Sequence, residues 1–200
     1  TQVLHALVNN AGIGAGGYID WVSLEFMRRM MDVNFFGHVA MTKKFLPLLI
    51  AKRDSRVVNI CSVAGYLTKP GMGAYAASKY ALESFSDCLR REMAVWNLRV
   101  SIIEPDDVKD RWGKDELENQ VNQVTHNIFM KKAENPAKVV QALKHAVMNS
   151  APQIRYRPGW QSSYVMFPLS RGPAWLTDKL MIRPTLKGTP PAGLRKQLPE

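Results

Sequence analysis

Short β-branched runs alternate along this chain with longer stretches of helical periodicity. Val3–Val8, Arg56–Ile60 and Arg99–Ile103 are mostly apolar runs of strand length. Near-continuous apolar strands are what a parallel sheet shows when helices cover both of its faces. Between the first two runs a helical period extends from about Ser23 to Ala51. Met27, Met30, Met31 and Phe35 fall on one stripe there, and Ser23 is a suitable N-cap. Between the second and third runs, Leu82, Phe85, Leu89 and Met93 recur at i, i+3, i+7 and i+11 within Tyr75–Val95, which marks one buried face. The alternation predicts an α/β fold with a parallel sheet.

Beyond Pro105 the pattern turns polar and helical over Lys109–Lys132, followed by an apolar period over Ala137–Met148. Asn135-Pro136 starts that second helix, with proline in its first turn. Gln153–Arg155 has the length of an edge strand. Trp160–Met181 mixes Trp160, Tyr164, Phe167, Trp175 and Leu180 with Arg171 and Lys179, and Pro168 and Pro173 argue against one long helix. One domain is expected over residues 1–183, with 184–200, rich in proline, as a mobile tail.

Composition narrows the class. Two hundred residues, 46% hydrophobic and 22% charged, suffice for one globular domain with its own core. No apolar run is long enough for a membrane-spanning helix. The net charge is +10, and residues 151–200 carry +6 of it. A basic, aromatic end suits an anionic surface; lipid is favoured over nucleic acid, because no nucleic-acid motif accompanies it. Cys61 and Cys88 form neither a disulfide framework nor a metal spacing, which fits an intracellular, reducing compartment. His5, His38, His126 and His145 are scattered, so no metal site is expected. Glu83 with Asp87, and Glu116 with Gln120, have the spacing of solvated helix-surface pairs.

Two motifs carry candidate chemistry. Residues 12–17 satisfy G-x-G-x-x-G after a strand, but five residues separate them from the first good N-cap. A phosphate cradle needs the helix to open within the glycines. The stretch is therefore read as a glycine-rich turn beside a ligand, and the phosphate cradle is discounted. The second motif is Tyr75-Ala76-Ala77-Ser78-Lys79. Positions i and i+4 share a helix face, so phenol and ammonium can enter one cleft. A cation roughly 4 Å away, at an effective dielectric near 20, is worth about 4 kcal/mol and eases deprotonation of the phenol toward working pH. Y-x-x-x-K is also a common surface pair. Ser62 closes the second strand, where open parallel sheets bind ligands. Asn34 is a polar residue within an apolar stripe, readable as a helix-kinking amide satisfied by water.

Taken together, Asn9-Asn10-Ala11-Gly12, Asn34, Ser62, Tyr75 with Lys79, and Pro105 resemble the short-chain dehydrogenase/reductase family over nearly the whole chain. The resemblance implies a three-layer, Rossmann-like parallel sheet, here the C-terminal part of a doubly wound fold. It implies NAD(H) or NADP(H) as cofactor, Tyr75 as acid/base, and Lys79 lowering its pKa and holding the nicotinamide ribose. Ser62 would orient the substrate and Asn34 would hold a water for proton relay. Asn9, Asn10, Ala11, Gly12 and Pro105 would border the cofactor. Phe85–Glu92 and Arg155–Trp160 resemble the branch of retinol and hydroxysteroid dehydrogenases and 3-hydroxybutyrate dehydrogenase. That branch implies a lipophilic alcohol or ketone, or a hydroxy acid, as substrate, and a place at the endoplasmic reticulum membrane or in the mitochondrion. Helices 23–51 and 75–95 would form homo-oligomer contacts, with peripheral membrane contact besides.

Two departures qualify the match. The family's opening βαβ unit, with its T-G-x-x-x-G-x-G turn, has no counterpart here, so the first strand would be an exposed edge. After the third strand, Asp106 stands where the family has glycine; it gives up φ freedom and brings a carboxylate toward the nicotinamide. Both features read as those of a fragment, a shortened isoform or an imperfect gene model. An inactive member, serving as an oligomerisation or membrane-surface module, is the alternative.

Overall fold

The structure is a computed structural model and describes residues 2–106 and 135–185. Four parallel strands form one sheet in the order β1-β2-β3-β4: β1 (Ala6–Asn9), β2 (Arg56–Ile60), β3 (Arg99–Ile103) and β4 (Arg155–Tyr156). The second and third strands match the apolar runs residue for residue. The first starts later than Val3 and ends later than Val8. Leu4 N–H bonds the Leu48 carbonyl of the following helix instead, so pairing with β2 begins only at Ala6 opposite Arg56. The expected edge strand at 153–155 shifts likewise: Arg155 and Tyr156 pair with Ile102 and Ile103.

Helices cover both faces. On one side lie α1 (Leu24–Met31), α2 (Gly37–Ile50) and α3 (Gly73–Glu92). Leu49, Leu89 and Phe85 from that layer pack on Leu7, Val57 and Val100 of the sheet. On the other side α4 (Ala137–Met148) brings Ala146, Leu143 and Val139 against Val58, Ile60 and Ile103. Helix, sheet and helix make the three layers, and β1 forms one edge of the sheet.

The long helix expected over 23–51 is present but not uniform. Ser23 caps it, its Oγ accepting Phe26 N–H at 3.2 Å. A π turn, Asp32–Phe36, joins α1 to α2 as Gly37 N–H reaches back five residues to the Asp32 carbonyl. Such single wide turns occur often at functional sites. A second π turn, Ser162–Met166, leads into α5 (Phe167–Ser170), and α6 (Ala174–Thr185) follows. Pro168 therefore does not break the helix as expected: it sits in the first turn of α5, where the wide turn has already removed the need for its amide proton. Pro173 does mark the break before α6. That helix runs to Thr185, two residues past the expected domain boundary; 186–200 and the expected helix at 109–132 lie outside the described residues.

Two polar features reach into the core. Asn59 of β2 accepts Asn9 Nδ2–H at 2.8 Å and donates to Ser86 Oγ at 2.7 Å, tying both strands to α3. Arg56, 3% exposed, donates to the Val147 and Asn149 carbonyls, satisfying the C-terminal end of α4 from the neighbouring strand. Glu83 and Asp87 are not a solvated surface pair. Arg155 of β4 crosses the end of the sheet to meet them, at 3.2 and 3.0 Å.

Replacing Asn59 by leucine removes both of its partners at once. The expected cost is about 1–3 kcal/mol for the buried amide and hydroxyl left under-satisfied, read as a lower urea midpoint with an unchanged slope.

Candidate active site

The carboxyl ends of β1, β2 and β3 point the same way, and every candidate residue lies at that end of the sheet. The ladder continues past the strands: Cys61 N–H bonds the Ile103 carbonyl at 2.8 Å and Val63 N–H bonds the Pro105 carbonyl at 3.0 Å. This extension holds Ser62 and Pro105 on adjacent chains. Ser62 caps a short 3₁₀ turn, Val63–Gly65; its oxygen accepts Ala64 N–H at 3.2 Å, and the hydroxyl keeps a proton to donate.

Tyr75 and Lys79 occupy the first turns of α3, both buried, at 5% and 1% exposure. The Lys79 ammonium lies 5.7 Å from the centre of the Tyr75 ring and donates to the Ile60 carbonyl at 3.1 Å. Its own carbonyl accepts from the Cys61 thiol at 3.3 Å. A helix face thus brings phenol and ammonium together as the i, i+4 spacing requires, and β2 fixes the lysine from below. Gly12 completes the wall: a Cβ there would stand 3.7 Å from Lys79 Nζ and 3.4 Å from Asn34 Oδ1.

Asn34 is fully buried in the first π turn. Its Oδ1 accepts Ile13 N–H at 2.8 Å, and its Nδ2 donates to the Ile13 carbonyl at 2.8 Å and to Ser78 Oγ at 2.9 Å. The amide anticipated as satisfied by water is satisfied by protein: it clamps the loop after β1 to the turn of α3 between Tyr75 and Lys79. Two further residues continue this grip, one helical turn apart each. His38 Nε2 lies 2.7 Å from the Ala11 carbonyl, and Thr42 Oγ1 accepts Asn9 Nδ2–H at 3.1 Å. Asn34, His38 and Thr42 hold residues 13, 11 and 9 in turn. The i, i+4, i+8 spacing of these three polar residues is the sequence signal for that grip.

Asn9 therefore turns its side chain inward to Thr42 and Asn59, while Asn10, Ala11 and Gly12 form the exposed rim of the loop. Residues 12–17 contain no helix start; the next helix begins at Leu24. Gly17 is there for close packing, because a Cβ would come within 2.6 Å of Val22 Cγ2, and its N–H docks on the Gly71 carbonyl at 2.7 Å. The glycine-rich stretch is a turn beside the site rather than a helix-borne phosphate cradle.

A three-layer parallel α/β sheet with a buried Tyr-x-x-x-Lys pair at its carboxyl end defines a class of nucleotide-dependent oxidoreductases. The short chain dehydrogenase family model matches residues 1–121, and the chain belongs to that family. It is 34% identical over 180 residues to "Uncharacterized oxidoreductase YbbO" of Escherichia coli (strain K12), covering 89% of this chain and 67% of that protein. It is 32% identical to "Retinol dehydrogenase 7" of Rattus norvegicus, covering 89% of this chain and 63% of that protein. A solved short chain dehydrogenase from Burkholderia cenocepacia J2315, in complex with NADP, shares the fold with a TM-score of 0.71 at 22% identity, over 89% of this chain and 69% of that one. The chain spans about two thirds of the length of the curated relatives it matches.

Burial, with a smaller push from the Lys79 ammonium, lowers the pKa of His38 below the usual imidazole value, against the pull of the Ala11 carbonyl. The folded state thus binds fewer protons at this site than the unfolded one. Its stabilising contribution is complete above about pH 6.5 and is lost as pH falls through the lowered value. Comparing melting temperatures of wild type and His38→Gln should show the wild type losing ground between pH 7 and pH 5.

Proposed function

We propose that this chain carries the catalytic half of an NAD(P)-dependent oxidoreductase acting on the CH–OH group of a lipophilic alcohol, retinol- or hydroxysteroid-like, or of a hydroxy acid. The observation that carries this reading is the buried Tyr75–Lys79 pair facing Gly12 and Asn34. The residues present fit the nicotinamide-ribose end of such a cofactor: a buried ammonium backed by a glycine, with hydroxyls at Tyr75 and Ser62, offers donors for ribose and amide oxygens. A nicotinamide bound there supplies or accepts the hydride. The Tyr75 hydroxyl moves the proton at the substrate oxygen. Lys79 stabilises the phenolate that results and holds the ribose. The Ser62 hydroxyl donates to the same substrate oxygen and orients it. Asn34 keeps the loop and α3 in register around them. Pro105 and Asp106 border the nicotinamide side.

An apolar rim supports a lipophilic substrate. Ile19 packs near Gly73, two residues before Tyr75, and the neighbouring exposed rings of Tyr18 and Trp21 meet each other edge to face. Similarity to a retinol dehydrogenase points the same way. Two experiments test the reading. NADH titration of the 200-residue chain, followed by fluorescence, should give saturable binding; its absence from a folded sample would place the cofactor affinity in residues outside these 200. In an active preparation assayed with retinol and hydroxysteroids, Tyr75→Phe should lower turnover by roughly 10²–10⁴-fold with an unchanged melting temperature. A retained rate would remove Tyr75 from proton transfer.

A second reading concerns where the protein works. We propose peripheral contact with an anionic bilayer, of the endoplasmic reticulum or mitochondrion, through the aromatic and basic face that follows β4. Trp160, Tyr164, Trp175, Leu180 and Ile182 are exposed there beside Arg171 and Lys179. Among the described residues no helix is long and apolar enough to cross a membrane. Exposed Phe36, Met41 and Tyr80 support the homo-oligomer contacts proposed for the 23–51 and 75–95 helices. Co-sedimentation with vesicles containing anionic lipid should be salt-sensitive, and binding that ignores lipid charge would sink the membrane reading.

A further inference from the structure

The candidate site is assembled from separate pieces of backbone. Tyr75 and Lys79 belong to α3, whereas Ser62 opens the 3₁₀ turn Val63–Gly65 that follows β2. Their spacing is set where the turn meets the helix, and Gly65, which is buried, lies in that contact. A Cβ on Gly65 would come within 2.7 Å of Cys61 Sγ, 2.9 Å of Glu83 Cγ and 3.3 Å of the Lys79 carbonyl oxygen. Non-bonded carbons in a packed interior settle at about 3.5–4.0 Å, so a methyl there has no room. Conformation is not the reason for the glycine. Among the described residues, Gly71 and Gly159 have positive φ and Gly65 does not. What the position requires is the missing Cβ.

The atoms in the way are anchored. Cys61 Sγ donates to the Lys79 carbonyl at 3.3 Å, and Cys61 N–H continues the sheet ladder to the Ile103 carbonyl at 2.8 Å. The Glu83 stem ends in a carboxylate 3.2 Å from Arg155 Nη2. Helix α3 is 20 residues long and seats Phe85, Leu82 and Leu89 on the sheet. The turn is only 3 residues long, and Gly65 N–H bonds the Ser62 carbonyl at 2.9 Å. A displacement of Gly65 therefore passes directly to Ser62. On its far side the turn is held by the bond from Val63 N–H to the Pro105 carbonyl, at 3.0 Å.

We infer that Gly65 is a positioning residue: by carrying no side chain it lets the turn rest on α3, and so sets how closely the Ser62 hydroxyl approaches the Tyr75–Lys79 pair. The spacing follows from these contacts, and its consequence for turnover rests on the proposed oxidoreductase function. In that function the Ser62 and Tyr75 hydroxyls must reach one substrate oxygen from two different pieces of backbone. A sub-ångström shift of one piece misaligns both groups.

Residue-resolved hydrogen exchange on the 200-residue chain reads the spacing without cofactor or substrate. In Gly65→Ala the Val63 amide should exchange at least about tenfold faster, while amides within β2 and β3 keep their protection. Removing the nearest obstacle should undo this. The double variant Cys61→Ala/Gly65→Ala should regain the wild-type rate at Val63, and it carries the test if Gly65→Ala alone does not fold. In an active preparation, Gly65→Ala should lower kcat at least about tenfold with KM within about threefold of wild type, and the double variant should recover most of that loss. Added to Ser62→Ala, Gly65→Ala should cost nothing further, because it acts through that hydroxyl. An unchanged Val63 rate in Gly65→Ala, a double variant that stays loosened or unfolded, or Ser62 and Gly65 losses that multiply would each overturn the inference. A wild-type chain without turnover would count against the proposed function alone, and the exchange rates would still decide the spacing.

Discussion

The site depends on one buried amide. Asn34 donates to and accepts from the backbone of Ile13 and donates to Ser78, so a single side chain joins the loop after β1, the π turn and α3. That junction ties the loop directly to the helical turn that carries Tyr75 and Lys79. Each hydrogen bond is worth only about 1 kcal/mol net, but a buried amide left unpaired costs more than its bond returned. The arrangement is therefore all or none, which is what a site needing sub-ångström placement requires. His38 and Thr42 extend it down the strand and explain why the loop follows a helix rather than wandering over the surface.

Apolar and polar contacts divide the work by position. Leu7, Val57, Val58 and Val100 seat the helices on the two faces of the sheet without caring which end is which. Direction comes from the polar groups. Arg56 satisfies the end of α4 at the amino ends of the strands, whereas Ser62, Lys79, Glu104 and Arg157 gather at the carboxyl ends. Chemistry and charge thus share one end of the molecule. Residues just beyond β3 contribute to both: Pro105 to the site, and Glu104, one residue earlier, to the docking of the segment after β4 through Arg157 and Ser162.

Membership of the short-chain dehydrogenase family agrees with the order of the motifs, and the geometry gives the motif residues different jobs. Tyr75, Lys79 and Ser62 place two hydroxyls and an ammonium at the carboxyl end of the sheet. Asn9 and Asn34 spend their side chains inside, on Asn59, Thr42, Ile13 and Ser78. Their side chains act by immobilising the backbone of the loop after β1 beside Tyr75 and Lys79.

The sequence by itself determined the α/β class, two strands to the residue, the helices around them and the Tyr75–Lys79 pair. All of these follow from local periodicity, in which a residue's partner lies one turn or one pleat away. It did not determine the start of β1, which is decided by the hydrogen bond of Leu4 N–H to the distant Leu48 carbonyl, nor the π turns and the continuity of the helix through Pro168, because the apolar period does not distinguish a single wide turn from an ordinary helical one. Nor did it reveal what Asn34, His38 and Thr42 hold, or that Glu83 and Asp87 are partners of Arg155 instead of solvated surface charges. Those contacts join positions 21 to 72 residues apart. A helix pattern shows which face is buried. Only the tertiary structure decides what that face meets, and for a buried polar group the identity of the partner is the whole of its energetics.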